Sequence, residues 1–403
     1  MAPPALGMIL YFRWPLHTSL TMRALPLWSH MNPFDSPAIA WRCIRHVIVL
    51  ALMLALVWFV LESLVFRSGF YYRELAEPFS NSGITALKLR LARREATAVP
   101  PTVLVFGDSR VAQGFSPAVA KRKAPQVNFI NVAVQGSKPR TWYYLLRAMV
   151  RKGVAFDAIV IGMVYPPMGA DHWANWSLDP YFMASLVDLR DLETFPASFD
   201  DVELRRRVQA SLWLQTLLMQ KDIQSLLESP LDRRRSLRRK RDWLEHIGNY
   251  RGPEKVMPTL TFGADHKVMD WNDTNAEQRA AIEQHLRVLT QTPDDNDAYE
   301  RYWFAELLKL CREHDASLIL YPFPRGPYRQ ILPADNEAPR WLVDLDNEPD
   351  VTVLPARLLE DLEAPEYFFD ALHANRTGQQ ITSERVAEAV GEVLHQPVGA
   401  STP

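Results

Sequence analysis

Five short runs of this chain are predominantly apolar without strict alternation: Thr102 to Phe106, Val127 to Val132 (with Asn128 and Asn131 in it), Asp157 to Val164, Ser317 to Tyr321 and Val351 to Leu354. A strand that is apolar on both faces has to be covered on both, which is the habit of parallel sheets joined by crossover helices. Helical spacing fills the intervals over Ile84–Arg94, Thr141–Lys152, Ala305–His314 and Thr377–Leu394. The expected fold is therefore α/β, a three-layer α/β/α sandwich around a mainly parallel five-stranded sheet. In such sheets ligands bind beyond the carboxyl ends of the strands.

The alternation breaks after the third run. From about 168 to 299 the pattern reads as an insertion made mainly of helices, with one apolar helical face over Asp201–Leu227 and another helix over Ala276–Leu289. No internal repeat is visible. The expected organisation is an irregular tail over 1–43, an apolar anchor over 44–66, a linker with one helix over 67–100, the α/β domain with its insertion over 101–395, and a tail over 396–403.

The anchor rests on VIVLALMLALVWFV, Val47 to Val60, which extends to Phe66 with only Glu62 and Ser63 as polar interruptions. About 20 such residues cross a hydrocarbon core of roughly 30 Å at 1.5 Å per residue. Arg13, Arg23, Arg42 and Arg45 precede the run against one acid, Asp35, whereas Arg67 and Arg73 after it face Glu74 and Glu77. That asymmetry favours a cytoplasmic N-terminus and a body on the far side of the inner membrane, periplasmic or otherwise extracytoplasmic. The run is long and FRSGFYYREL after it holds no small-x-small cleavage site, so a signal anchor is expected rather than a cleaved leader.

Lys and Arg total 45 against 47 Asp and Glu, so no global field attracts nucleic acid. Two cysteines, Cys43 and Cys311, make no disulfide framework. CxxC, HExxH, GxxxxGK[ST] and GxGxxG are all missing, so no cofactor and no metal is expected.

The first strand ends in VLVFGDSRVAQG, where Gly107-Asp108-Ser109-Arg110 places a hydroxyl at a strand-to-helix turn. Serine is a weak nucleophile and needs a base, a group that orients the base, and donors for a developing oxyanion. Asp and Ser also suit an ordinary N-cap, so the tripeptide alone decides little. Near the other end, in YFFDALHANRTGQQIT, Asp370 precedes His373 by three residues, close enough on a tight loop for the carboxylate to hold one imidazole nitrogen and leave the other for a serine.

GDS after the first strand, Gly136 after the second and DxxH before the last helix together resemble the SGNH or GDSL hydrolase superfamily, over roughly Pro101–Val164 and Ala305–Leu394. The resemblance implies a flavodoxin-like sheet and a Ser–His–Asp site for esters. Ser109 would be the nucleophile, His373 the base and acid, Asp370 the orienting acid, with the N–H groups of Ser109 and Gly136 as the oxyanion hole. One block departs from the family. Where GxND is usual, this chain reads Gly162-Met163-Val164-Tyr165-Pro166-Pro167. Losing one oxyanion donor costs about 10²–10³ in rate, so either Arg110, Asn131 or Asn175 substitutes or hydrolysis is weak. Asp108 and Trp173 complete the expected substrate-binding set.

The anchor and the altered block are most similar to the membrane-anchored, exported branch of the superfamily, which adds or removes O-acetyl groups on envelope polysaccharides. The expected partners are thus an O-acylated polysaccharide, the membrane, and a membrane-bound acyl donor. Asp171–Phe182, DHWANWSLDPYF, is expected to overhang the site as a lid or acceptor loop. The cluster Arg233, Arg234, Arg235, Arg238, Arg239, Lys240 and Arg241 fits a solvated helix face, an anionic polysaccharide or lipid head groups. A non-catalytic assembly subunit of an envelope polysaccharide machine is the rival reading, and a lipid-directed esterase a third.

Overall fold

The computed structural model describes residues 37–164, 172–247, 250–271, 274–290, 295–331 and 340–395. The chain divides into two units, Met1–Trp58 and Phe59–Pro403. Helix α1 (Pro37–Glu62) supplies the described part of the first unit and opens the second. Residues Pro37–Cys43, expected as irregular tail, are already helical, since Pro37 suits a first helical turn and Ala38, Ile39, Ala40 and Trp41 continue it. From Trp41 to Arg67 the chain is one helix long and apolar enough to cross a membrane.

In the second unit five strands form one parallel sheet in the order β2-β1-β3-β6-β7. They are β1 (Thr102–Phe106), β2 (Asn128–Asn131), β3 (Ala158–Met163), β6 (Ser317–Pro322) and β7 (Val351–Val353). Period-two geometry sends alternate side chains of each strand to opposite faces. Leu104, Phe106, Ile159, Ile161, Leu318 and Leu320 pack beneath α2 (Asn81–Glu95) and the later helices α5 and α12. Val103, Val105, Val160 and Ile319 face α3 (Ser109–Gly114), α4 (Pro117–Lys123) and α14. The first face is completed by α5 (Pro139–Arg151) and α12 (Asp297–Arg312), the second by α14 (Arg376–His395). Each fully buried Val, Leu or Ile contributes about 1.5–3 kcal/mol, so both faces of the sheet are held by burial. This is the three-layer α/β sandwich that the apolar runs predict.

Between β3 and α12 lie α6 (Asp179–Met183), α7 (Thr194–Ala197), α8 (Val202–Trp213), α9 (Thr216–Glu228), α10 (Pro230–His246) and α11 (Ala276–Thr290). A small antiparallel pair, β4 (Thr261–Phe262) and β5 (Val268–Asp270), interrupts them. Between β6 and β7 stands α13 (Arg340–Asp346). The face expected as one helix over Asp201–Leu227 is in fact two helices. Leu214 is extended, with φ −131° and ψ 93°, and Gln215 turns inward to accept a hydrogen bond from the Tyr72 hydroxyl at 3.0 Å.

The basic cluster is divided by its surroundings. Arg233 is buried against Asp222 and Glu77, and Lys240 donates to the carbonyl of Arg73. Arg234, Arg235, Arg238 and Arg239 are exposed, so these four form the solvated part.

Candidate active site

Ser109 sits where β1 gives way to α3. The turn requires Gly107, whose φ is +151° and at which an added Cβ would stand 2.4 Å from Val111 Cγ2. Asp108 is the N-cap, accepting from the N–H of Arg110 at 2.9 Å, so Ser109 becomes the first residue of the helix. Asn131, at the end of β2, closes the other end of that helix. Its Nδ2 donates to the carbonyls of Val111 (3.2 Å) and Phe115 (2.8 Å), and its Oδ1 accepts from the N–H of Ala133 at 3.1 Å. Buried and occupied in this way, Asn131 holds the helix that carries Ser109 instead of standing as a free donor toward a substrate. Lys88 is buried beneath it and donates to the Asn131 carbonyl at 2.9 Å; burial lowers its pKa to about 7.

Asp370 and His373 share a tight loop fastened by the Phe368–Ala374 bridge and by the N–H of Phe369 donating to the His373 carbonyl at 3.1 Å. Asp370 Oδ1 accepts from the N–H groups of Leu372 and His373, both at 2.8 Å. Its Oδ2 lies 2.9 Å from His373 Nδ1. Burial pushes the Asp370 carboxyl up, but the His373 hydrogen bond, the imidazole's charge and the two main-chain donors outweigh it, leaving the pKa below the ordinary carboxylate value. His373 Nε2 lies 2.9 Å from Ser109 Oγ. The Phe369 ring stacks on the imidazole, with centroids 5.7 Å apart.

Two segments distant in sequence meet because α14 lies along α3 and α4. Asn375 caps α14, its Oδ1 accepting from the N–H groups of Thr377 and Gly378 at 3.0 Å each, while its Nδ2 donates to the Glu366 carbonyl. One turn on, Gln379 Nε2 donates to the Gln113 carbonyl at 2.6 Å. Asn375, Gln379 and Ser383 are positioning residues absent from the sequence reading. Asn375 alone carries a local signal, as an N-cap type just before a helix.

The loop after β2 is a tight turn over Val134–Ser137 in which Gly136 takes φ +72° and the Ser137 N–H donates to the Val134 carbonyl at 3.2 Å. The turn is tied to the Ser109 loop, because the Val134 N–H donates to the Gly107 carbonyl at 3.0 Å. Among the described residues, the main-chain N–H groups of Ser109 and Gly136 have no protein acceptor.

A cavity of about 60 Å³ is lined by Asp108 and Arg110, the chain neighbours of Ser109, together with Trp142, Gly162, Glu300 and Phe323, while Ser109 and His373 are not among its lining residues. Arg110, a lining residue, is largely covered, and its Nε lies 3.8 Å from Asp108 Oδ2. Glu300 is buried, with Oε2 unpartnered, and burial raises its pKa to about 8. Glu300 went unnoticed in the sequence reading.

Trp173 also lines the cavity, and Lys138 Nζ stands 4.2 Å from its ring centroid and 5.1 Å from that of Trp176. The segment around Trp173 is anchored from below by buried Arg140, which donates to the Ala174 carbonyl at 2.6 Å and faces Asp179 at 3.4 Å. Within His172–Phe182, Trp173 forms part of the cavity wall. Asn175 is turned toward the insertion, its Oδ1 accepting from the Asp201 N–H at 2.7 Å. Tyr165-Pro166-Pro167 and Asp171 lie outside the described residues.

Compared with known proteins, the chain matches no family model and no curated protein, so the site stands on its own geometry.

Proposed function

We propose that this protein is a membrane-anchored serine esterase or O-acyltransferase. The observation that carries the reading is the unbroken chain Asp370–His373–Ser109, with contacts of 2.9 Å at both links. Ser109 Oγ attacks the acyl carbonyl while His373 Nε2 takes the hydroxyl proton, and the oxyanion turns to the N–H groups of Ser109 and Gly136. The C–O bond to the leaving alcohol then breaks, the alcohol leaves with the proton held by His373, and an acyl-Ser109 ester remains. Water or a sugar hydroxyl attacks that ester, gives its proton to His373 and regenerates the serine.

The acyl group is taken to be short, such as acetyl, in keeping with the small cavity of about 60 Å³ lined by Asp108 and Arg110 on either side of the serine in sequence. Anchored by its apolar helix, with the N-terminus cytoplasmic, the body would act outside the cytoplasm on an envelope or exported polysaccharide, for which Trp173, Trp176 and Lys138 offer a ring-stacking surface.

The test is hydrolysis of short-chain nitrophenyl esters by the purified full chain. Wild type should release nitrophenol and Ser109→Ala should not. Equal inertness of both across acyl donors would favour the rival reading, a non-catalytic subunit of an envelope assembly.

A further inference from the structure

The apolar segment that ends at Arg67 does not emerge clear of the folded body. Its last nine residues run beside the corner where α8 turns into α9. Arg67 Nη2 donates to the carbonyls of Leu212 (3.1 Å) and Trp213 (2.9 Å). Its guanidinium stands over the Phe59 ring at 5.3 Å, and Phe59 and Trp213 have ring centroids 6.4 Å apart. Glu62, the acid that interrupts the apolar run, is buried, and its Oε1 accepts from the N–H of Thr216, the first residue of α9, at 3.2 Å. An acidic side chain facing hydrocarbon would be costly. Here the corner covers it.

Phe59 precedes Arg67 by eight residues, about 12 Å of helix at 1.5 Å per residue. If the span reaches the membrane surface near Arg67, whatever touches Phe59 lies below that surface. The corner touches it with Trp213. Trp213 is 50% exposed and Leu217, in the first turn of α9, is 47% exposed, whereas Ser211 and Gln215, the polar residues two positions to either side of Trp213, are buried. Trp and Leu on a surface continuous with a membrane span match the composition of the lipid interface, where an indole keeps its N–H near the head groups and its rings among the acyl chains. Farther on, α9 packs against the chain that follows the span: Asp222 accepts from the N–H of Glu77 at 3.2 Å, ten residues past Arg67.

We infer that the α8–α9 corner is seated in the phospholipid bilayer, with Trp213 and Leu217 in contact with lipid at the level of the outer end of the span. The body is thereby held to the membrane at a second point. The inference rests on the span and its packing, not on the serine chemistry.

The experiment uses the full chain in a Cys43→Ser background, reconstituted in vesicles of phosphatidylcholine and phosphatidylglycerol. A nitroxide is attached in turn through Leu52→Cys, Leu217→Cys and Leu227→Cys, and its collisions with oxygen and with a water-soluble nickel chelate are compared. Leu52 is a mid-span control, and Leu227, at the far end of α9 and 75% exposed, is the water control. The ratio of oxygen to nickel accessibility at 217 is expected to be several-fold above that at 227 and to approach that at 52. A label at 217 as water-exposed as at 227, with 52 in lipid, overturns the inference and points to a protein partner for the corner. Water exposure at 52 as well overturns both the inference and the membrane span.

Discussion

The hydroxyl of Ser383, in the second turn of α14, accepts a hydrogen bond from the main-chain N–H of Ser116 at 2.8 Å. This bond and the Gln379 contact with Gln113 dock the helix that follows the histidine onto the chain that leaves the serine. Gln379 and Ser383 are both buried, so neither bond competes freely with water. Ser383→Val should cost about 1–3 kcal/mol of stability by leaving a buried N–H unpaired, read by urea denaturation. Gln379→Ala should in addition lower kcat for ester turnover, because it loosens the register between His373 and Ser109.

Gly107→Ala should be more damaging than its size suggests. The residue would have to hold φ +151° with its Cβ 2.4 Å from Val111. A loss of about 2 kcal/mol or more is expected from backbone strain and overpacking, measurable as a fall in denaturation midpoint. Ala at exposed Gly153, with open space around its Cβ position but φ +70°, should cost less.

Glu300 makes a prediction about pH. Its folded pKa of about 8 lies above the ordinary carboxyl value of 4.5, so between these limits the folded state binds more protons than the unfolded one. Stability supplied by the neutral acid is complete below the lower value and declines as pH rises toward 8, by at most about 1.4 kcal/mol per pH unit. Glu300→Gln should flatten this slope in denaturation curves taken from pH 5 to 8. Its advantage over wild type should grow with pH.

Asp370 has the opposite sign. Its pKa is depressed in the fold, so its contribution is present above the unfolded value of 3.8 and is lost as pH falls through the lower folded value. Asp370→Asn should remove that acid sensitivity. It should also reduce ester turnover by roughly 10³–10⁴-fold, since an amide no longer secures the imidazole tautomer that accepts the serine proton.

Features written in local pattern were legible in the sequence. Thr102–Phe106 and Ser317–Tyr321 read as doubly buried strands because every residue is apolar or small, and Asp370-x-x-His373 pairs two groups within one turn of loop. Features set by distant partners were not. The break at Leu214 is hidden because apolar spacing continues across it, and the Tyr72 hydroxyl that donates to Gln215 there lies 143 residues away. Asn131 looked like a free amide because the carbonyls it closes belong to a helix formed by a separate stretch of chain. Glu300 sits among the acids of an amphipathic helix, and only the packing of α12 against the cavity reveals its burial.

The central claim is that His373 makes Ser109 a nucleophile. Incubating the full chain with a fluorophosphonate and locating the adduct by mass spectrometry tests it most directly. The account predicts phosphonylation of wild type at Ser109, loss of the adduct in Ser109→Ala, and labelling slowed by orders of magnitude in His373→Ala. No adduct on folded wild type, or equal labelling rates with and without the imidazole, would contradict it.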